Sequence, residues 1–271
     1  MQYDPIKRSL GTVFNKTPFL RKLFYNLLDL LLLRAWHVHH HLKPVIQKAN
    51  TENKSLNILD AGSGFGQYSY WLSSKLKKCN IFGVDVKEEQ IADCNNFFKS
   101  IEKENVTFSF EDLTVFRKES SYDLIVCVDV MEHVLEDVKV FENYAASLKP
   151  GGMLVISTPS DQGGSDVHGD GETSFIEEHV RDGYNINDIK DKLLRSGFSK
   201  VEPRYTYGTF GSISWRLSMK YPILMLGYTK LFFVVLPFYY LFAYPICFIL
   251  NFIDLHSAPT KGTGLLVKAY R

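Results

Sequence analysis

The sequence predicts an α/β fold, in which a mainly parallel sheet carries helices on both faces. Short apolar stretches alternate with helical patterns through the central part of the chain, and this alternation is typical of βαβ units. Gly and Pro residues separate the two kinds of stretch. The predicted strands are residues 56–61, 80–85, 105–110, 122–128, 152–158, 198–205 and 264–270. The predicted helices in the same region are residues 66–77, 87–101, 131–147 and 173–196.

A glycine-rich turn follows the first predicted strand and opens the first helix of the sheet. Its pattern is D-x-G-x-G-x-G, with the acid at Asp60 and glycines at 62, 64 and 66. Such a turn presents backbone N–H groups to a ligand. The dinucleotide fingerprint G-x-G-x-x-G would need a glycine at Gln67. A carboxylate beside the loop favours a cationic ligand, such as one with a sulfonium and an ammonium group.

The second predicted strand ends in an acid, Asp85. An acid at this position can accept hydrogen bonds from ribose hydroxyls, so the two strand ends together indicate a nucleoside-containing ligand. Two alternatives are an ordinary glycine turn and a nicotinamide-type Rossmann site.

The pattern that begins at Asp60 resembles motif I of class I S-adenosylmethionine-dependent methyltransferases. The L-x-P-G-G step at 148–152 also recurs in that family, and residues 129–134 resemble the D-x-x-E-H-V signature of its ubiquinone-biosynthesis-like (type 11/12) subgroup. The resemblance covers roughly residues 55 to 200. It implies a Rossmann-like, doubly wound, seven-stranded sheet with the last strand antiparallel, and S-adenosylmethionine as the cofactor.

The resemblance also implies which residues hold that cofactor. Asp112 and Leu113 would contact the adenine, although a solvated acidic turn explains Glu111 and Asp112 as well. Asp129 stands where some relatives have Glu, and it is expected to face the cofactor crevice. The complete expected set is Asp60, Gly62, Ser63, Gly64, Gly66, Asp85, Val86, Glu111, Asp112, Leu113, Asp129 and Val130.

Two histidines are candidates for a general base, which is needed only when the acceptor must lose a proton. His133 follows the fourth strand, and His168 lies in the glycine-rich loop after the fifth. His133 could equally be a packing residue, and the macrodipole alone would favour Glu132 at a helix start. A divalent metal at the acidic–histidine cluster and a calcium loop at 161–170 are alternatives, and we assign no metal.

The first 50 residues are predicted to form a helical cap. They contain eight Lys/Arg and two acidic residues among many Leu and Phe, a composition typical of an anionic membrane surface. The same apolar face could instead cap the core. The histidines at 37 and 39–41 are interpreted as an aromatic face over the cofactor rather than a zinc site.

Residues 209–258 form an apolar insertion between the core, residues 51–208, and a last strand within 259–271. No charged residue occurs from Leu231 to Ile253, which is long enough for a spanning helix. A single span would place the last strand across the membrane from its sheet, so a monotopic or re-entrant helical segment is favoured. A soluble lid, a homodimer interface and a true span are the alternatives.

Overall composition limits the compartment and the partners. The net charge is +1, so the overall charge does not indicate nucleic-acid binding. The four cysteines form no C-x-x-C pair. We therefore expect a cytoplasmic protein without a signal peptide, peripheral or monotopic at the inner face of the membrane. The expected reaction is methyl transfer, with O-methylation favoured, to a small lipophilic acceptor such as a quinone, polyprenyl derivative, lipid or polyene. A membrane-associated, non-catalytic cofactor-binding subunit is the alternative.

Overall fold

One seven-stranded sheet organises the chain. The computed structural model describes residues 17–163, 180–229 and 231–271. The strands are β1 (Leu56–Ala61), β2 (Cys79–Asp85), β3 (Val106–Phe110), β4 (Tyr122–Val128), β5 (Leu148–Pro159), β6 (Lys200–Thr206) and β7 (Gly264–Tyr270). Their order is β3-β2-β1-β4-β5-β7-β6, and β7 is antiparallel to both of its neighbours. The predicted fold class is confirmed.

Helices precede, cover and interrupt this sheet. The two N-terminal helices are α1 (Pro18–Leu31) and α2 (Leu33–Thr51). The helices between strands are α3 (Gln67–Lys75), α4 (Glu88–Ser100), α5 (Asp137–Ser147) and α6 (Ile186–Arg195). The insertion contains α7 (Thr209–Trp215), a π-helical turn (Arg216–Lys220), α8 (Tyr221–Tyr228) and α9 (Phe232–His256).

Two helix predictions are wrong in their bounds. The helix predicted at 131–147 begins only at Asp137, because Met131–His133 forms a separate 3-10 turn and Val134 is extended. The helix predicted at 173–196 begins at Ile186 among the described residues, and Asn185 caps it by accepting from the backbone N–H of Asn187 at 2.9 Å. Residues 173–179 lie outside the described residues.

The sheet buries apolar side chains on both faces, as expected for a mainly parallel sheet whose strands alternate with covering helices. Ile125 and Val267 are fully buried on one face, and Ile58 and Val126 on the other. The chain order reverses between β1 and β4, so a crevice opens at the carboxyl ends of these two strands. Ligands of doubly wound sheets bind at this position.

The insertion is a helical hairpin. Helix α9 packs along α7 and the π-helical turn, and the Tyr239 and Tyr240 hydroxyls donate to the carbonyls of Leu217 (2.7 Å) and Ser218 (2.6 Å). The hairpin therefore leaves the sheet after β6 and returns to it at β7, which pairs with β5 and β6. Helix α9 is long and apolar enough to cross a membrane, and 11% of its most apolar stretch is buried.

Candidate active site

The glycine-rich turn lies at the carboxyl end of β1, in the crevice. The backbone N–H groups of Gly62 and Ser63 both donate to the carbonyl of Val84, at 2.8 and 2.9 Å. Gly62 has φ +73, and a Cβ built on it would overlap Val130 Cγ2 and lie 3.0 Å from Val130 Cγ1. Only glycine therefore fits between the turn and the residue after β4.

The turn offers space and an unsatisfied donor to a ligand. A Cβ at Gly64 would have only Gln90 Oε1 near it, at 3.9 Å, so this glycine borders open space. The Ser63 hydroxyl is buried and has no hydrogen-bond partner within the described part of the chain. A buried hydroxyl without a partner is costly unless a ligand or water satisfies it. These residues therefore fit a polar group of S-adenosylmethionine.

Asp60 holds the glycine turn through contacts within the fold, and its contact with a cationic ligand stays a prediction. Its Oδ2 accepts the backbone N–H of Ser69 at 3.1 Å and the Ser69 hydroxyl at 2.6 Å, and it is 3% exposed. Burial raises the pKa of Asp60 to about 6. The carboxylate thus anchors the first turns of α3 to β1, which orients the glycine turn between them.

Asp85 reaches back to the same turn. Its Oδ2 accepts the backbone N–H of Gly64 at 2.9 Å, and its Oδ1 accepts that of Lys87 at 3.0 Å. Each carboxylate oxygen can accept more than one hydrogen bond, so the carboxylate retains acceptor capacity for ribose hydroxyls. Its neighbour Val86 is 57% exposed at the rim.

Asp85→Ala is expected to weaken S-adenosylmethionine binding by roughly 1.5–3 kcal/mol, the range for a hydrogen bond to a charged group. The variant removes the ribose acceptor and releases the N–H of Gly64. Calorimetric titration measures the change, and Asp191→Ala, an exposed acid on α6, is the control. Unchanged affinity in Asp85→Ala would contradict the cofactor assignment.

The expected adenine region lies after β3. The backbone N–H of Glu111 donates to the carbonyl of Asp85 at 3.2 Å, which joins the ends of β2 and β3. Asp112 is exposed and its Oδ1 accepts the N–H of Thr114 at 2.8 Å, whereas Leu113 is buried. The three residues share one edge with the glycine turn, and their contacts with adenine stay a prediction.

The residues that follow β4 lie at the carboxyl end of that strand and border the crevice beside the glycine turn. Asp129 has φ +53, a left-handed conformation in which Asp is one of the more frequent non-glycine residues. Its carboxylate forms an ion pair with the Arg34 guanidinium. Glu132 is buried and its Oε2 accepts the Thr158 hydroxyl at 3.0 Å, so it joins the 3-10 turn to β5 rather than beginning a helix.

The two base candidates are not brought together by the described residues. His133 is exposed on the 3-10 turn, where its backbone N–H donates to the carbonyl of Val130 at 2.9 Å. His168 lies outside the described residues. Their role as bases stays a prediction.

The N-terminal helices lie directly over the glycine turn. Arg21 is 3% exposed, and its guanidinium donates to the carbonyls of Phe65 (2.9 Å) and Asp93 (3.2 Å). Gln67 donates to Asp29 Oδ1 at 2.6 Å, and burial raises the pKa of Asp29 to about 6. Sequence reasoning missed Arg21, because a single arginine in a basic helix gives no local signal for a buried contact.

The histidines of α2 serve separate contacts. His37 Nε2 lies 3.0 Å from Asp254 Oδ2 at the base of the hairpin, and both side chains are buried. His39 stacks on Trp71 with ring centroids 3.8 Å apart, and burial lowers its pKa to about 3. Over the described ranges, no group of three or more His, Cys, Asp or Glu side chains is arranged to hold a metal ion.

Comparisons with known proteins agree with this geometry. A family model described as "Methyltransferase domain" matches residues 52–194. The chain is 28% identical over 158 residues to malonyl-[acyl-carrier protein] O-methyltransferase of Bacillus cereus, covering 57% of this chain and 58% of that one. It is 32% identical over 120 residues to ubiquinone biosynthesis O-methyltransferase of Coxiella burnetii, covering 43% of this chain and 48% of that one.

Solved structures share the fold at low sequence identity. Phosphoethanolamine N-methyltransferase 2 of Haemonchus contortus, in complex with S-adenosyl-L-methionine, has a TM-score of 0.59 and 18% identity, over 85% of this chain and 52% of that one. The [4+2]-cyclase SpnF has a TM-score of 0.56 and 14% identity, over 85% and 80% of the two chains. These likenesses show the fold alone.

The site and the family match together define a class I, S-adenosylmethionine-dependent methyltransferase fold. The chain belongs to the methyltransferase-domain family, whose cofactor is S-adenosylmethionine. The predicted family, enzyme class and cofactor are confirmed at this level. The matches span about half the length of the two curated relatives, and the division into four segments stays a prediction.

Proposed function

We propose that this protein methylates an oxygen of a small lipophilic acceptor at the cytoplasmic face of a membrane. The cofactor, when bound, supplies a methyl group on a sulfonium. The crevice residues described above would hold it, and the main task of the protein is to align the acceptor oxygen with that methyl group. Such positioning can contribute roughly 7–11 kcal/mol to catalysis.

O-methylation is favoured by the relatives. The two curated proteins described above are both named as O-methyltransferases, one acting on malonyl-[acyl-carrier protein] and the other in ubiquinone biosynthesis. Their acceptors differ, so the acceptor class for this chain depends on its own residues. The apolar hairpin is the feature that indicates a lipophilic acceptor such as a quinone, polyprenyl derivative, lipid or polyene.

The observation that carries the proposal is the exposed apolar hairpin joined to the site at its base. Large apolar side chains are exposed on several sides of α9, including Phe242 (74%), Leu241 (67%) and Ile249 (59%). Contiguous apolar surface of this kind marks an interaction site. Tyr207, one residue past β6, lies between the hairpin and the crevice, and its hydroxyl accepts the backbone N–H of Arg34 at 3.0 Å.

A monotopic arrangement fits the distribution of charge. The arm from α7 to α8 carries Arg216 and Lys220, whereas α9 carries no charge from Leu231 to Ile253. Helix α9 would lie among the acyl chains while the two cations reach the phosphates. Helix α1 continues this surface, because it exposes Phe19 and its Leu30 carbonyl accepts the Tyr244 hydroxyl at 3.3 Å.

The test of function is methylation of a total membrane-lipid extract with isotope-labelled S-adenosylmethionine. The expected product is a lipid-soluble ether or ester that carries the label. Cofactor binding without label transfer to any lipid-soluble compound would favour the non-catalytic subunit instead.

Phe242→Glu combined with Ile249→Glu is expected to lower vesicle binding by at least about tenfold. Burying each apolar side chain is worth roughly 1.5–3 kcal/mol, and a charge cannot replace it. Flotation with vesicles of phosphatidylcholine and phosphatidylglycerol measures the change. The control is Val115→Glu combined with Leu135→Glu, which alters two side chains exposed by 69% and 77% far from the hairpin in sequence. Equal binding by the two double variants would contradict a membrane role for α9.

A further inference from the structure

A cation from the N-terminal cap lies at the carboxyl end of β4, in the crevice. Arg34 is the second residue of α2, and the chain turns at Leu32 before that helix begins. The Arg34 guanidinium forms an ion pair with Asp129, which follows β4. The two side chains are 34% and 31% exposed, so molecules from outside can reach the pair.

Three other elements fix the position of Arg34. The Tyr207 hydroxyl, from the end of β6, accepts the Arg34 backbone N–H at 3.0 Å. The Tyr68 hydroxyl, from α3, is buried beside the guanidinium. Burial raises the pKa of Tyr68 to about 12, and the positive charge of Arg34 partly offsets this increase. Asp254, from the hairpin base, accepts the Tyr207 backbone N–H at 3.2 Å. The Tyr207 hydroxyl thus holds the Arg34 backbone, and the guanidinium lies beside the Tyr68 phenol and the Asp129 carboxylate.

The charges at this point would change on cofactor binding. S-adenosylmethionine would bring a sulfonium and an ammonium group into the crevice that contains Asp129, and S-adenosylhomocysteine would bring the ammonium group alone. A second cation near Asp129 would weaken the hold of that carboxylate on Arg34, because two positive groups would share one negative charge. Arg34 can then turn its planar donor fork toward another anion, and guanidinium groups favour oxyanions for this geometry.

We propose that Arg34 binds the acceptor through an ionised oxygen, a phenolate or a carboxylate, and thereby selects acidic-oxygen acceptors. The inference rests on the proposed function and names the acceptor class of the same site. The apolar part of the acceptor extends toward the hairpin, whose base is joined to this site through Tyr207 and Asp254.

The methyl transfer then needs no protein base. A carboxylic acid reaches Arg34 already ionised, whereas a phenol releases its proton to solvent on binding, because the neighbouring guanidinium lowers the phenol pKa. A lone pair of the ionised oxygen forms the new bond to the methyl carbon. The bond from that carbon to sulfur breaks, and its electron pair stays on sulfur as a neutral thioether. No proton moves in this step, which agrees with the exposed position of His133.

The same residue acts against amine acceptors. A protonated amine would meet the Arg34 cation at the place where its nitrogen must react, and like charges there oppose binding. An aliphatic alcohol stays neutral and gains only an ordinary hydrogen bond.

Binding of four ten-carbon probes to the S-adenosylhomocysteine-loaded protein tests the inference. The probes are decanoate, 4-decylcatechol, decanol and decylamine, and calorimetry gives each affinity for wild type, Arg34→Gln and Arg34→Lys. Arg195→Gln, which removes an exposed cation on α6, is the matched control. The shared alkyl tail makes any contact with the hairpin equal in all variants.

We expect decanoate or 4-decylcatechol to bind more tightly than decanol and decylamine. Arg34→Gln should lower the affinity for the tighter-binding acidic probe roughly 10- to 100-fold, the range of one lost charge-assisted hydrogen bond. Arg34→Lys should lower that affinity less. The two anions distinguish a carboxylate acceptor from a phenol. If the phenol is methylated, the pH profile of kcat, which reports groups in the bound complex, should shift upward in Arg34→Gln.

Two results are distinguishable as failures. If Arg34→Gln binds both anions as wild type does, including the case in which wild type binds neither, Arg34 is not the acceptor residue. If the wild-type protein binds neither S-adenosylhomocysteine nor S-adenosylmethionine, both the proposed function and this inference are contradicted.

Discussion

Gly62→Ala is expected to lower the affinity for S-adenosylmethionine by at least about 100-fold, which corresponds to roughly 3 kcal/mol. A Cβ at this position overlaps Val130 Cγ2, and the backbone φ of +73 is unfavourable for alanine. The turn or the Val130 side chain must therefore move, and a displaced turn loses the contacts of Gly62 and Ser63 with the carbonyl of Val84. Calorimetric titration with S-adenosylmethionine measures the loss.

Gly151→Ala is the matched control for that variant. Gly151 has nearly the same φ, +76, but a Cβ there would meet no atom within 4 Å. It therefore reproduces the backbone strain without the overlap, at the start of β5 and away from the crevice. Affinity within about threefold of wild type in Gly62→Ala would show that the turn does not hold the cofactor.

Asp254→Ala is expected to lower the free energy of unfolding by about 3 kcal/mol or more, because each buried donor left without an acceptor costs about 1–3 kcal/mol. The Asp254 carboxylate is 1% exposed and accepts the backbone N–H groups of Tyr207 (3.2 Å) and Gly211 (3.1 Å). It also contacts His37 Nε2 at 3.0 Å. Its loss leaves these buried nitrogens without an acceptor at the junction of the cap, β6 and the hairpin.

Denaturant unfolding of the detergent-solubilised protein measures this change. Asp188→Ala is the control, since that side chain is 53% exposed and pairs only with Lys192 among the described contacts. A loss below about 1 kcal/mol in Asp254→Ala, the size of an exposed ion pair, would mean that the junction is held by packing alone.

The sheet and the cofactor loop could be predicted because their signals are local. Each strand is a short apolar stretch between turn residues, and the glycines that begin at Gly62 lie immediately after the first strand. The last strand, Gly264–Tyr270, was predicted within its observed bounds because it alternates and is isolated by polar residues.

The contacts that hold the cap over the site could not be predicted in the same way. Arg34 and Asp129 are separated by 95 positions, and His37 and Asp254 by 217. Each is a single residue in a segment with no repeating pattern, so only the tertiary fold brings the partners together.

One error in helix bounds has a physical cause in the fold. Glu132 has the sequence features of a helix start, but its Oε2 accepts the Thr158 hydroxyl, and helix α5 begins five residues later. The sequence also gives no sign that the Oδ2 of Asp60 accepts hydrogen bonds from Ser69. The part of Asp60 in cofactor binding stays a prediction.

Calorimetric titration of the purified protein with S-adenosylmethionine and, separately, with NAD tests the central claim most directly. Micromolar binding of S-adenosylmethionine and no binding of NAD is the expected result, because Gln67 replaces the third glycine of the dinucleotide fingerprint and Asp85 suits a ribose. Binding of NAD, or of neither compound in the presence of lipid vesicles, would contradict the assignment of this crevice to S-adenosylmethionine.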